Sequence, residues 1–224
     1  MSDAITTYSV SGRRLRLRRL NSEVKLVIWD FNGCLLNDLE YMYQHGMCYI
    51  FDRFNLSPPT MEQYREEASA DFLKFYHKYG IPESARENDL NNLLKENYLK
   101  QEKHPPLFGD VLTSLEKIRW QGIDQSVVTA FNPESTREIL LAAGLLNYFY
   151  EVQANITDKA SVISGMIFDC EIKPENVIGI TDTIGDVQAF IKAGIKPYIC
   201  HRGFHTLEKI QKEQEKYPEM IIVS

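Results

Sequence analysis

The feature that most constrains this chain is a series of short, β-branched apolar runs, each closed by a polar residue and separated from the next by a helical pattern. The first runs from Val24 to Trp29 and ends at Asp30. Others are Ser126 to Thr129, Val177 to Thr181, Pro197 to Cys200 and Met220 to Val223, with a weaker one at Tyr150 to Ala154. Such continuous apolar runs read as strands covered on both faces. Between them, Val111 to Trp120 places Leu112, Leu115 and Ile118 on one helical face. Glu134 to Ala143 follows Pro133, a good first-turn residue, and stops near Gly144, a good helix terminator. Ala160 to Phe168, Ile184 to Ala193 (ended by Gly194) and Thr206 to Glu215 complete the set. Strand–helix alternation of this kind predicts an α/β fold, a Rossmann-like parallel sheet.

One stretch breaks the alternation. From about Asp38 to Gln101 the pattern is helical only, near Tyr41–Phe54, Met61–Tyr79 and Ala85–Gln101. The breaks fall at Ser57-Pro58-Pro59, Gly80-Ile81-Pro82 and His104-Pro105-Pro106. A helical block after the first strand suggests an inserted α-helical cap domain over 38–105, with the core formed by 22–37 and 106–224. The cap is rich in aromatics, among them Tyr41, Tyr43, Phe51, Tyr64, Phe75 and Tyr76. Their helical spacing predicts packing, with some left to line an apolar pocket.

Residues 1–21 form a basic segment in which Arg13, Arg14, Arg16, Arg18 and Arg19 crowd together. It reads as a solvated arm or edge strand, with binding of a phosphate-rich partner as the alternative. The 224-residue chain carries a net charge of −6, which argues against nucleic acid as a partner. No apolar run approaches the ~20 residues that cross a bilayer. Cys34, Cys48, Cys170 and Cys200 are scattered, which fits reduced thiols and a cytoplasmic protein. His45, His77, His104, His201 and His205 show no ligand spacing, although His201 and His205 follow a strand.

In an open parallel sheet, ligands bind beyond the carboxyl ends of the strands. Asp30-Phe31-Asn32-Gly33-Cys34, Thr129-Ala130, and Asp182-Thr183-Ile184-Gly185-Asp186 all occupy such ends, and Lys159 opens a helix. Acidic residues there make an oxygen-rich site of the kind that holds Mg²⁺. Lys159 and Thr129 can meet the charge and oxygens of a phosphoryl group.

These segments resemble the motifs of the haloacid dehalogenase superfamily. WDFNGCLLND is similar to its first motif, usually D-x-D-G-T-L, and VVTA to the second. Lys159 falls where the third-motif lysine belongs, and GITDTIGDV resembles the fourth motif, commonly G-D-(S/T)-x-x-D. The resemblance points to the phosphatase branch, phosphoglycolate phosphatase and β-phosphoglucomutase-like, with a helical cap. It implies a Mg²⁺-dependent phosphatase or phosphotransferase acting on a small phosphorylated metabolite. It assigns Asp30 as nucleophile and Asp30, the position-32 carbonyl and Asp182 to the metal, with Asp186 supporting the metal or Lys159. Thr129, Ala130, Lys159 and Gly33 are assigned to the phosphoryl group.

Three positions depart from the pattern. Asn32 stands where phosphatases carry an acid–base Asp, and an amide exchanges no proton at neutral pH. The expected consequences are restriction to good leaving groups, a substitute acid–base from the cap or a histidine, or a protein that binds metal and phosphate without turnover. Cys34 replaces the usual Thr, and no base pairs with it to make it a nucleophile. Thr181 replaces the usual Gly before Asp182 and is expected to narrow the site.

Overall fold

A computed structural model describes residues 6–9, 23–68, 72–101 and 104–223. Seven strands form one sheet: β1 (Thr6–Ser9), β2 (Leu26–Trp29), β3 (Asp124–Val128), β4 (Glu151–Ala154), β5 (Val177–Thr181), β6 (Lys196–Cys200) and β7 (Ile221–Val223), in the order β1-β4-β3-β2-β5-β6-β7. β2 to β7 pair in parallel, whereas β1 runs antiparallel to β4. Every strand expected from the sequence is present. β1 is an edge strand, one of the two readings of the N-terminal segment, although it falls at Thr6–Ser9 and not among the arginines. It lies within the N-terminal segment, whose arginines at 13–19 fall outside the described residues.

The central strand shows why the apolar runs are continuous. Val27 and Trp29 enter one cluster with Val111, Leu115, Val127, Ile139 and Leu140. Leu26 and Ile28 enter a second on the opposite face, with Val128, Ile163, Ile167 and Phe190. Alternate side chains point to opposite faces, and helices bury both.

Four of the core helices begin on side-chain caps. Asn132 accepts from the Ser135 N–H (3.0 Å) before the helix Pro133–Ala142. Asp158 caps Lys159–Asp169, Thr183 caps Ile184–Lys192 and Thr206 caps Leu207–Gln214. These caps set the first turns that carry Lys159 and Asp186.

The helical block has a core of its own, built from Met47, Ile50, Phe51, Tyr64, Phe75, Tyr76, Ile81 and Leu90. The aromatics expected to pack do so here. The first helical pattern begins earlier than expected, at Leu39, and runs through a π-helical stretch, Met42–Met47, into Cys48–Arg53. The pattern over 61–79 is not one helix. Met61–Glu67 ends at Ala68, which is extended, and Phe72–Lys78 follows. The break has a tertiary cause, for the Lys209 ammonium donates to the carbonyls of Glu66 (2.6 Å), Ala68 (3.0 Å) and Arg65 (3.3 Å). A cation on the last free carbonyls ends the helix from outside.

Gly179 on β5 faces the ring of Phe190 with no room for a Cβ. Gly179→Ala is expected to destabilise the fold by about 2 kcal/mol through overpacking, read as a lower urea midpoint at unchanged m-value.

Candidate active site

The register brings the carboxyl ends of β2, β3 and β5 side by side, with Trp29 opposite Val127 on one flank and Ile180 on the other. Strand order reverses direction around β2, so the crevice for a ligand lies here. The Asp30 N–H continues the ladder to the Ile180 carbonyl (2.8 Å), which holds the first acid at the strand end. Asp30 is 6% exposed and Asp182 3%.

Lys159 lies between two carboxylates. Its ammonium donates to Asp30 Oδ1 at 2.8 Å and to Asp186 Oδ2 at 2.5 Å. Thr181 also donates to Asp186 Oδ2 (3.1 Å), so the hydroxyl at the departure from the motif fixes that carboxylate. Asp182 is enclosed differently. Its Oδ2 accepts from the Phe204 N–H (2.6 Å), while its Oδ1 is buried with no partner. A Cβ at Gly33 (φ +67°) or at Gly203 would overlap this carboxylate, so both glycines are required where they stand.

The charges do not balance. Burial pushes the Asp30 carboxyl up to about 7 from its ordinary 3.8, against the pull of Lys159 and with Asp186 adding to the rise. Burial and the nearby Asp30 raise Asp182 well above the usual carboxylate range. Burial works against the Lys159 charge, but Asp186 and Asp30 outweigh it and hold the ammonium protonated. Two buried acids and a half-buried third gathered near one ammonium therefore favour a further cation or a bound proton.

The residues fit a hard divalent cation. Ligand-capable atoms of Asp30, Cys34 and Asp182 lie within 4.8 Å of one another, and Asp182 also has one oxygen buried without a partner. Burial keeps the Cys34 thiol protonated, so the oxygens are the donors that suit such a cation. Asp186 lies on Lys159 and Thr181 instead.

Thr129 is buried at the end of β3, where its hydroxyl accepts from the Phe131 N–H (3.1 Å) and keeps its own proton to donate. Ala130 beside it is exposed. The Gly33 N–H goes to Leu36 O (2.9 Å) and Asp38 Oδ1 (3.0 Å), so the contribution of Gly33 is its missing side chain.

Asp38 went unnoticed in the sequence, where an acid before a helix reads as a cap. It makes no cap bond; its carboxylate instead accepts from the Asn32 amide at 2.5 Å, from Gly33 N and from Tyr98 OH at 3.4 Å. Burial lifts it to about 6, against those hydrogen bonds. Arg65 was equally silent. From the helical block it donates to the carbonyls of Phe204 (2.8 Å), Gly203 (3.2 Å) and His205 (3.3 Å), the loop whose next N–H holds Asp182. His205 is buried, lowered to about 4 by that burial, and faces the Arg65 carbonyl (3.2 Å). It is a structural imidazole.

A family model described as haloacid dehalogenase-like hydrolase matches residues 27–199. A search of curated protein sequences returns no match. Among solved structures, the fold is shared with a predicted phosphatase from Clostridium acetobutylicum (TM-score 0.73, 17% identity, 90% of this chain and 94% of that one). It is also shared with a predicted phosphoglycolate phosphatase from Haemophilus somnus (TM-score 0.67, 17% identity, 91% and 95%). A third is CbbY of Rhodobacter sphaeroides in complex with xylulose-1,5-bisphosphate (TM-score 0.64, 16% identity, 83% and 89%).

The raised carboxyls give a test in the metal-free protein. The folded-state pKa of Asp30, about 7, lies above its ordinary 3.8, so the fold holds a proton that the unfolded chain releases. Its stabilising share is complete below about pH 4 and is lost as pH rises through about 7. In EDTA, the unfolding midpoint of Asp30→Asn is expected to fall less steeply across this window than that of the natural protein. Parallel slopes would contradict the assignment.

Proposed function

Because the chain belongs to the haloacid dehalogenase-like hydrolase family, we propose that it is a Mg²⁺-dependent phosphatase or phosphotransferase acting on a small phosphorylated metabolite through Asp30. The observation that carries this reading is the convergence of Asp30, Lys159 and Asp182 at the β2–β5 crevice, with one Asp182 oxygen buried and unpartnered. Mg²⁺ would be held by Asp30, Asp182 and the Asn32 carbonyl, with Asp186 acting through Lys159, and it would neutralise charge on the transferring group. The helical block 38–105 acts as a cap on a core of 22–37 and 106–224, with 1–21 as a basic N-terminal segment. The structural relative bound to a sugar bisphosphate supports the substrate class.

In this mechanism an Asp30 oxygen attacks phosphorus, the Asp30–phosphorus bond forms, and the bond to the leaving oxygen breaks. Water then cleaves the aspartyl-phosphate. Lys159, the Thr129 hydroxyl and the Ala130 backbone meet the phosphoryl oxygens, and Gly33 keeps the loop clear of Asp182. Charge neutralisation and positioning supply most of the acceleration. The cap excludes bulk water. The reduced thiols favour a cytoplasmic site of action. Among the described residues, no helix is long and apolar enough to cross a membrane.

Asn32 cannot move the proton that the leaving group needs. Asp38 is the carboxylate bonded to the Asn32 amide, held also by the Gly33 N–H and the Tyr98 hydroxyl. We read the pair as an exchange of positions, with the acid moved from 32 to 38 and giving its proton to the leaving group directly, beside the amide rather than through it.

Turnover of acetyl phosphate and of an aryl phosphate is expected with Mg²⁺, is lost in EDTA, and is abolished in Asp30→Asn. No turnover on a broad phosphate panel, together with tight metal-dependent phosphate binding, would favour a binding protein instead.

Asp38→Asn alone is expected to slow the aryl phosphate reaction about 10²-fold, the low end of a general acid–base contribution. The double substitution Asn32→Asp/Asp38→Asn, which reverses the pair, should recover it. Asn32→Asp alone sets two carboxyls at hydrogen-bond distance and should gain less. A single mutant as fast as the double would refute the exchange.

A further inference from the structure

Two thiols lie beneath the site that the proposed chemistry does not use. Cys34 and Cys200 are 1% and 4% exposed, and their sulfurs are 3.5 Å apart although 166 residues separate them in the chain. Cys34 follows Gly33 in the loop after β2, and Cys200 ends β6. Between these strands lies β5, which leads into Asp182. Cys200 also donates to the Thr181 carbonyl (3.3 Å), so its sulfur is already turned toward the loop that carries the acid. Cys48 lies in the helical block and Cys170 ends a helix on the second cluster, where neither is recorded against another sulfur.

We propose that Cys34 and Cys200 form a reversible disulfide that disables the site. Closing the present 3.5 Å to a bond of about 2.05 Å needs roughly 1.5 Å of approach. The backbone around Cys34 is held: Gly33 N bonds Asp38 and Leu36, and Arg202 donates to the Cys34 carbonyl (3.1 Å). Asp182 is wedged between Gly33 and Gly203 with no free space. Any shift of the Gly33–Cys34 loop toward Cys200 is therefore transmitted to the Asp182 carboxylate. The bond also withdraws the Cys34 sulfur from its place beside Asp30 and Asp182.

The oxidant is a peroxide. The sulfur of one cysteine attacks a peroxide oxygen, the O–O bond breaks, and hydroxide leaves a sulfenic acid behind. The second sulfur attacks the first, the S–O bond breaks, and a second hydroxide leaves as the S–S bond forms. The two thiol protons convert both hydroxides to water. Each sulfur gives up one electron and the peroxide takes two. A dithiol reductant reverses the step by thiol–disulfide exchange.

The bond itself is independent of the proposed activity; only its effect on turnover rests on that reading. The full-length protein is treated with hydrogen peroxide, digested without reductant and mapped by mass spectrometry. A linked peptide pair containing Cys34 and Cys200, two hydrogens lighter than its parts, is expected and is absent in Cys200→Ser. The Mg²⁺-dependent rate should fall about 100-fold, the scale of a 1 Å misplacement, and return with dithiothreitol. Cys200→Ser should keep its own starting rate at the same dose. Mn²⁺ binding, followed by electron paramagnetic resonance, should weaken in the linked protein and reads the site even where no substrate turns over. If Cys200→Ser fails to fold, Cys34→Ala serves, and mapping of the natural protein needs neither. Free Cys34 and Cys200 at a dose that oxidises Cys48 and Cys170 would overturn the proposal, as would a linked protein that binds Mn²⁺ unchanged.

Discussion

The structure turns on two buried carboxylates, Asp30 and Asp182, and a half-buried third, Asp186, gathered near one ammonium. Asp30 follows β2, Asp182 follows β5 and Asp186 lies in the first turn of the next helix; the Lys159 ammonium bonds Asp30 and Asp186 and leaves Asp182 to a backbone N–H. In a dry pocket that imbalance is costly, and the surroundings are organised to bear it. Thr181 and Lys159 share Asp186, Phe31 N donates to Asp30 Oδ1 (2.8 Å), and Phe204 N donates to Asp182. What remains unanswered is one Asp182 oxygen and the net negative charge. A site left unsatisfied in this way is one that gains from a cation and an anionic group arriving together.

The same constraint reaches the helical block. The 203–206 loop is the hinge of the arrangement, since its backbone holds Asp182 on one side and receives Arg65 on the other. Lys209 then ends the helix Met61–Glu67 on its carbonyls, and Thr206 bonds Glu66. Phe204 packs with Tyr64 and Phe72, with ring centroids 4.9 and 6.0 Å apart. One short loop thus joins the block to the environment of the second acid, beside the packing of Tyr98 on Phe131.

Asn32 and Asp38 show how a motif can change while its surroundings adapt. The amide at 32 is not idle, because it donates to a carboxylate that burial holds near neutrality. Tyr98 and Gly33 steady that carboxylate from the cap side and the loop side. The amide at 32 and the acid at 38 are six residues apart, on a turn that brings the two side chains together.

The sequence by itself determined the strands of the parallel sheet, the core helices to within a residue or two, the helical insert, and the group formed by Asp30, Thr129, Lys159, Asp182 and Asp186. These were legible because each rests on a local signal: apolar period, a capping residue, or an acid placed where a strand ends. Only the tertiary structure decided the antiparallel β1, the break at Ala68, the assignment of Asp186 to Lys159, and the contacts of Asp38, Arg65 and Cys200. Each of these depends on a partner far along the chain, from Arg65 with Phe204 to Cys34 with Cys200. Asp38 is nearer, but its local pattern is that of any helix cap. Hydrophobic period is written into neighbouring residues, whereas the pairing of buried polar groups exists only once the chain has closed around them.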